Sequence, residues 1–76
     1  MTFGQRLRQE RENRGFTRKE ISDRTGIHIS SLHGYEHDIN EPSLFNATLI
    51  ADVLGVSLDL LAGRDKKRLK NLERIS

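Results

Sequence analysis

The residues of this chain most able to do chemistry by type and spacing are two histidines and a glutamate in the five positions His33 to His37, HGYEH. Side chains at i and i+4 share one face of a helix, so two imidazoles can hold one metal ion there, and a glutamate at the H-x-x-E-H position can activate water as in inverted zinc peptidases. A catalytic zinc site also needs a third protein ligand and a cleft. A chain of 76 residues without cysteine has little to build either from, since so short a chain buries only roughly 60% of the surface its unfolded form exposes. The pattern is also short enough to arise by chance. No catalytic residue, metal site or cofactor is expected, and the absence of cysteine suits a reducing cytoplasm.

The second chemistry is electrostatic. The net charge of +2 is small, but its distribution is uneven. Residues 1–25 carry seven Lys/Arg against four Asp/Glu, residues 26–63 carry no Lys/Arg against five Asp/Glu, and residues 64–76 carry six against two. Basic charge at both ends of a small chain points to a polyanionic partner. No apolar run approaches the roughly 18 residues of a membrane span, and Met1 leads into a capped helix rather than a signal peptide, so a cytoplasmic protein with no membrane partner is expected.

Helices must position these groups, because no segment alternates with period two. Thr2 with Gln5 forms a capping box, in which each side chain satisfies a free backbone N–H at the helix start, and Phe3, Leu7 and Arg11 recur at i, i+4 up to Gly15. Thr17 with Glu20 forms a second box, with Phe16 and Ile21 as a hydrophobic staple around it. Gly26 can take the left-handed conformation that ends this second helix, Ser22 is small where another helix must approach, and Ile27 and Leu32 offer a staple for a third helix starting at His28. Two short helices joined in this way form a helix-turn-helix, with Ile21, Ile27, Leu32 and Tyr35 facing inward.

A turn follows from His37 to Pro42, in which Asp38 and Asn40 tolerate left-handed geometry. Ser43 caps a fourth helix whose Leu44, Ala47, Ile50, Ala51 and Leu54 keep the 3.6 period to Gly55. Ser57 caps a short fifth helix, stapled by Val56 and Leu61 and closed by Gly63. Residues 1–63 read as one domain. Residues 64–76 read as a basic sixth helix with Leu69, Leu72 and Ile75 on one side, or as a tail.

With these segments in place, the chain from Phe3 to Gly63 resembles the XRE-type helix-turn-helix proteins, which include the phage lambda and 434 repressors and Cro. The likeness lies in FGQRLRQERENRGFT, the turn around Ser22 and Gly26, the YE ending the third helix, the PS before the fourth, and the closing LGVSLDLLAG. It implies an all-α, five-helix lambda-repressor-like domain, here with an additional C-terminal helix. It also implies a transcriptional regulator, a repressor, that binds double-stranded DNA as a homodimer with its third helix in the major groove.

The resemblance makes Arg11 and Glu36 a structural ion pair between the first and third helices. It makes Thr17 and Arg18 phosphate contacts at the start of the second helix, with Arg6, Arg11 and Lys19 as further phosphate candidates. Base edges would be read by His28, Ile29, Ser30, His33 and Gly34. This set has no Arg, Lys, Asn or Gln for bidentate readout, and the loop beyond it carries His37, Asp38 and Glu41, whose acids would face phosphate. An alternative therefore stands beside DNA binding, in which the uncharged third helix and the apolar line Phe45, Leu49 and Val53 serve another regulator as a docking surface. Phe45, Leu49 and Val53, with Leu58 and Leu60 on the fifth helix, are also the apolar residues left for dimerisation or for packing the terminal helix.

Overall fold

The computed structural model describes residues 1–63, so the expected terminal helix with Leu69, Leu72 and Ile75 lies outside the described residues. Within them are five helices and no strand: α1 (Phe3–Asn13), α2 (Arg18–Thr25), α3 (Ile29–Glu36), α4 (Leu44–Leu54) and α5 (Leu58–Ala62). Each begins where local chemistry supplies a cap. Thr2 and Thr17 make complete capping boxes with Gln5 and Glu20, and the Ser43 and Ser57 hydroxyls accept from the backbone N–H three residues on. These bonds satisfy donors that a helix start leaves orphaned, each contributing about 1 kcal/mol.

The core forms where the apolar stripes meet. Leu7, Ile21, Leu32, Ile50 and Leu61, one from each helix, are fully buried, with Ile27, Tyr35, Ala51 and Leu54 around them. The staples close over this core: Phe16 and Val56 pack on its edge, and Ile21, Ile27, Leu32 and Leu61 lie within it. α1 packs on α3 and α5, and α2 packs on α3 and α4. The Asn46 amide donates to the Tyr35 hydroxyl (3.2 Å), tying α4 to α3.

The turn between α2 and α3 is pinned at several points. Gly26 is left-handed (φ +78°) and its N–H bonds to the Ser22 carbonyl. The Ser22 hydroxyl donates to the Ile27 carbonyl (2.6 Å), and the Ile27 N–H donates to the Thr25 hydroxyl (3.1 Å). Ser22 is thus more than a small residue at a close approach. Its hydroxyl sets the angle at which the chain enters α3.

One expectation for α4 needs correction. Leu44 does not belong to the buried stripe: it is 74% exposed, because burial along α4 begins only at Ala47. Asn40 is not left-handed. Asp38 alone among the non-glycine described residues has positive φ (+56°), and the Asn40 side chain instead packs on Gly34.

Candidate nucleic-acid interface

The site is built on α3, whose inward and outward residues separate cleanly. At 100° per residue, Ile29, Ser30, His33 and the C-cap His37 fall within an arc of roughly 100°, and all four are exposed. Leu32, Tyr35 and Glu36 fill the buried side. His28 is the N-cap. Its Nδ1 accepts from the Ser30 backbone N–H (3.2 Å) and lies 2.7 Å from the Ser30 hydroxyl.

Gly34, expected among the base-reading residues, is buried and leaves that set. Its carbonyl accepts from the Ile39 N–H (2.9 Å) and the Asn40 N–H (3.3 Å), and a Cβ placed on it would stand 2.6 Å from the Asn40 amide nitrogen. The close neighbour that favours glycine here is the chain's own loop, not a base.

Glu36 anchors α3 from behind. Arg11 donates to it twice, Nε to Oε2 (2.6 Å) and Nη2 to Oε1 (3.1 Å), and donates Nη1 to the Phe16 carbonyl (2.9 Å). The bonds to Glu36 hold the Arg11 guanidinium above its ordinary pKa, against a smaller opposing effect of burial, with the Glu36 and Glu12 charges adding to the rise. The expected pair thus exists in the structure, and it has a third member that sequence alone did not reveal. Arg18, at the first position of α2, donates Nε to Glu36 Oε1 (3.1 Å). Two arginines on one buried carboxylate leave a net positive charge where α1, α2 and α3 meet.

Glu36 is accordingly engaged away from His33 and His37, whose exposed rings lie tilted 42° to one another with centroids 4.2 Å apart. A glutamate engaged by two arginines cannot serve as the water-activating base of H-x-x-E-H. Among the described residues, no three His, Asp or Glu side chains are arranged to hold a metal ion.

The start of α2 meets the C-terminal end of α3, where Arg18 reaches Glu36. Its capping box consumes the N–H groups of Thr17 and Glu20 and leaves those of Arg18 and Lys19 without an acceptor among the described residues. The Glu20 carboxylate brings a negative charge to the same end, set against Arg18 and Lys19. Lys19 also pairs with Asp23 (3.1 Å), an exposed i,i+4 contact that costs little to break.

Arg6 does not join this group. On α1 it lies five residues from Arg11, about 140° around the helix. Its guanidinium bonds to the Met1 carbonyl and packs against Gly63 at the end of α5. The acidic loop is also partly explained: Asp38 accepts from the Gly4 N–H (3.1 Å) and the Thr2 hydroxyl (2.6 Å), so its charge caps α1. Of the apolar line on α4, Phe45 is 72% exposed and Leu49 is half-buried, while Val53 packs on the core. On α5, Leu58 is half-buried and Leu60 exposed.

Two short helices set by a pinned turn, one presenting an exposed arc and the other tied to it through Arg18 and Glu36, define a helix-turn-helix domain. The helix-turn-helix family model matches residues 7–61, and the chain belongs to that family, of XRE type. It is similar to the transcriptional regulator ImmR of Bacillus subtilis, 32% identical over 71 residues, which are 93% of this chain and 56% of that protein. It is also similar to the cryptic phage CTXphi transcriptional repressor RstR of Vibrio cholerae, 34% identical over 64 residues, 84% of this chain and 57% of that protein. Among solved structures, SinR in complex with DNA superposes with a TM-score of 0.72 at 30% identity, covering 76% of this chain and 97% of that one. The chain spans about half the length of the curated relatives it matches.

Proposed function

We propose that this chain is a sequence-specific DNA-binding transcriptional regulator, a repressor, which docks α3 in the major groove and acts in the cytoplasm as a homodimer without catalysis or cofactor. The observations that carry this reading are the exposed arc of α3, with His28, Ile29, Ser30 and His33, and the free N–H groups of Arg18 and Lys19 at the start of α2, which Arg18 ties to α3 through Glu36. An α-helix fits the major groove, and a helix N-terminus accepts a phosphate. The DNA-bound state of SinR and the repressor role of RstR support the same assignment.

In this reading Thr17, Arg18 and Lys19 hold phosphates, Arg11 acts through Glu36 by fixing the angle of α3, and His28, Ile29, Ser30 and His33 meet base edges. Polar groups such as serine hydroxyls bond to several bases, and isoleucine offers a surface to a thymine methyl. Phe45 and Leu60, large apolar side chains left in water, are the residues for self-association.

Fluorescence anisotropy with labelled duplexes from upstream genomic regions tests the proposal. Affinity should fall steeply as salt rises from about 50 to 200 mM, as counterion release requires. A chain with no salt-sensitive DNA affinity even at the low end is not a DNA-binding regulator.

A further inference from the structure

α3 lacks the long amide and guanidinium side chains that usually read bases, which raises the question of what replaces them. The cap of α3 holds the answer. A backbone N–H can only donate, so the Ser30 N–H directed at His28 Nδ1 (3.2 Å) requires that nitrogen to be the unprotonated one. The imidazole proton is then on Nε2, at the opposite end of an exposed ring. With Nδ1 unprotonated, the hydrogen in its 2.7 Å contact with Ser30 Oγ comes from the serine hydroxyl. Ser30 Oγ therefore keeps its lone pairs for an outside donor.

Resting on the DNA-binding reading above, the geometry points to His28 as a specificity-determining residue whose capping role locks it as a single hydrogen-bond donor, with Ser30 beside it as an acceptor. A free histidine can offer either edge and accept or donate to suit the base. Capped in this way, His28 offers Nε2–H alone. In the major groove guanine presents N7 and O6 as acceptors, adenine N7 and thymine O4, whereas cytosine presents only the N4 amino donor. His28 thus selects against cytosine on the contacted strand. The neighbouring Ser30 acceptor favours a base edge that offers an amino group, that of adenine or cytosine.

Two measurements test the assignment, one of which needs no DNA. A long-range proton–nitrogen correlation spectrum of the intact chain should show Nδ1 of His28 unprotonated and Nε2 carrying hydrogen. The opposite tautomer, or rapid exchange between the two, overturns the lock.

The second is selection from randomised duplexes with the wild-type chain and with His28→Ser, which keeps a good N-cap but ends well short of the Nε2 position. The wild-type motif should contain one position where cytosine is depleted by about fivefold, the worth of one net hydrogen bond, and His28→Ser should lose that depletion. Identical motifs overturn the role of His28 and leave the DNA-binding reading standing. Retention of no duplex at low salt overturns both, whatever the tautomer.

Discussion

Arg11 and Glu36 stand 25 residues apart in the chain, yet Arg11 Nε approaches Glu36 Oε2 to 2.6 Å with both residues buried. The bond joins α1 to α3, and Arg18 brings in α2 through the second carboxylate oxygen. One carboxylate thereby sets the mutual placement of three helices.

Removing either buried partner strands a charge. Arg11→Ala and Glu36→Ala should each cost about 3 kcal/mol, read as a lowered midpoint in urea denaturation. The double replacement Arg11→Met with Glu36→Met should cost less than either, since the charge it leaves without a partner, Arg18, is partly exposed to water. The pH dependence has a definite sign: a folded-state pKa raised above the unfolded one gives stability that is present below the unfolded value and lost as pH climbs through the folded one. Both lie in the alkaline range of arginine, so the Arg11 contribution should stay constant between about pH 7 and pH 10.

Gly4 and Gly34 should respond oppositely to alanine. A Cβ on Gly4 would press into the Tyr35 and Glu36 carbonyl oxygens and Asp38 Oδ1, backbone that cannot move without parting α1 from α3. Gly4→Ala should destabilise by about 1–3 kcal/mol. On Gly34 the obstacle is the end of the Asn40 side chain, which can rotate away, and alanine gains about 1 kcal/mol of helix propensity. Gly34→Ala should fall within about 1 kcal/mol of wild type. A thermal melt of the two variants side by side decides it; equal losses would show that Asn40 is as fixed as the backbone.

Asp38 combines a left-handed backbone with two hydrogen bonds to the start of α1. Asp38→Ala loses both and gains a side chain ill-suited to positive φ, so a loss of about 2 kcal/mol is expected. Asp38→Asn tolerates the same φ and keeps an acceptor, and should lose less. Amide hydrogen exchange across the first turn of α1 should report the damage locally, with faster exchange at Gln5 and Arg6 in the alanine variant.

The basic residues should separate into three kinds when DNA affinity is measured against salt. Lys19→Ala should weaken binding equally on all sequences and lower the salt slope by about one. Arg18→Ala should do the same and also lower stability, because Glu36 loses a donor. Arg6→Ala, remote from the arc and engaged with Met1 and Gly63, should leave affinity unchanged. A drop for Arg6→Ala as large as that for Lys19→Ala would move the interface onto another face of α1.

Legibility in the sequence followed distance along the chain. Caps and staples act within five residues, and Thr2, Thr17, Ser43 and Ser57 stand where local chemistry places them. The Arg11–Glu36 pair was accessible only through family resemblance, because nothing in spacing links residues 25 apart. Arg18 on Glu36, Asp38 on Gly4 and Arg6 on Gly63 were not legible, since each depends on how helices close in space. Leu44 kept the apolar period but lies in the first turn of α4, which no other described element covers. Gly34 stood among the base-reading positions through the resemblance alone, whereas the group that approaches it is Asn40, six residues on.

The division of α3 into an outward arc and an inward anchor has a practical side. His28, Ile29, Ser30 and His33 are exposed, while Leu32, Tyr35 and Glu36 carry the packing. The outward four can be exchanged as a set, with a good N-cap kept at position 28, without disturbing the core. Under the proposed function the domain is therefore a chassis on which new reading surfaces can be installed.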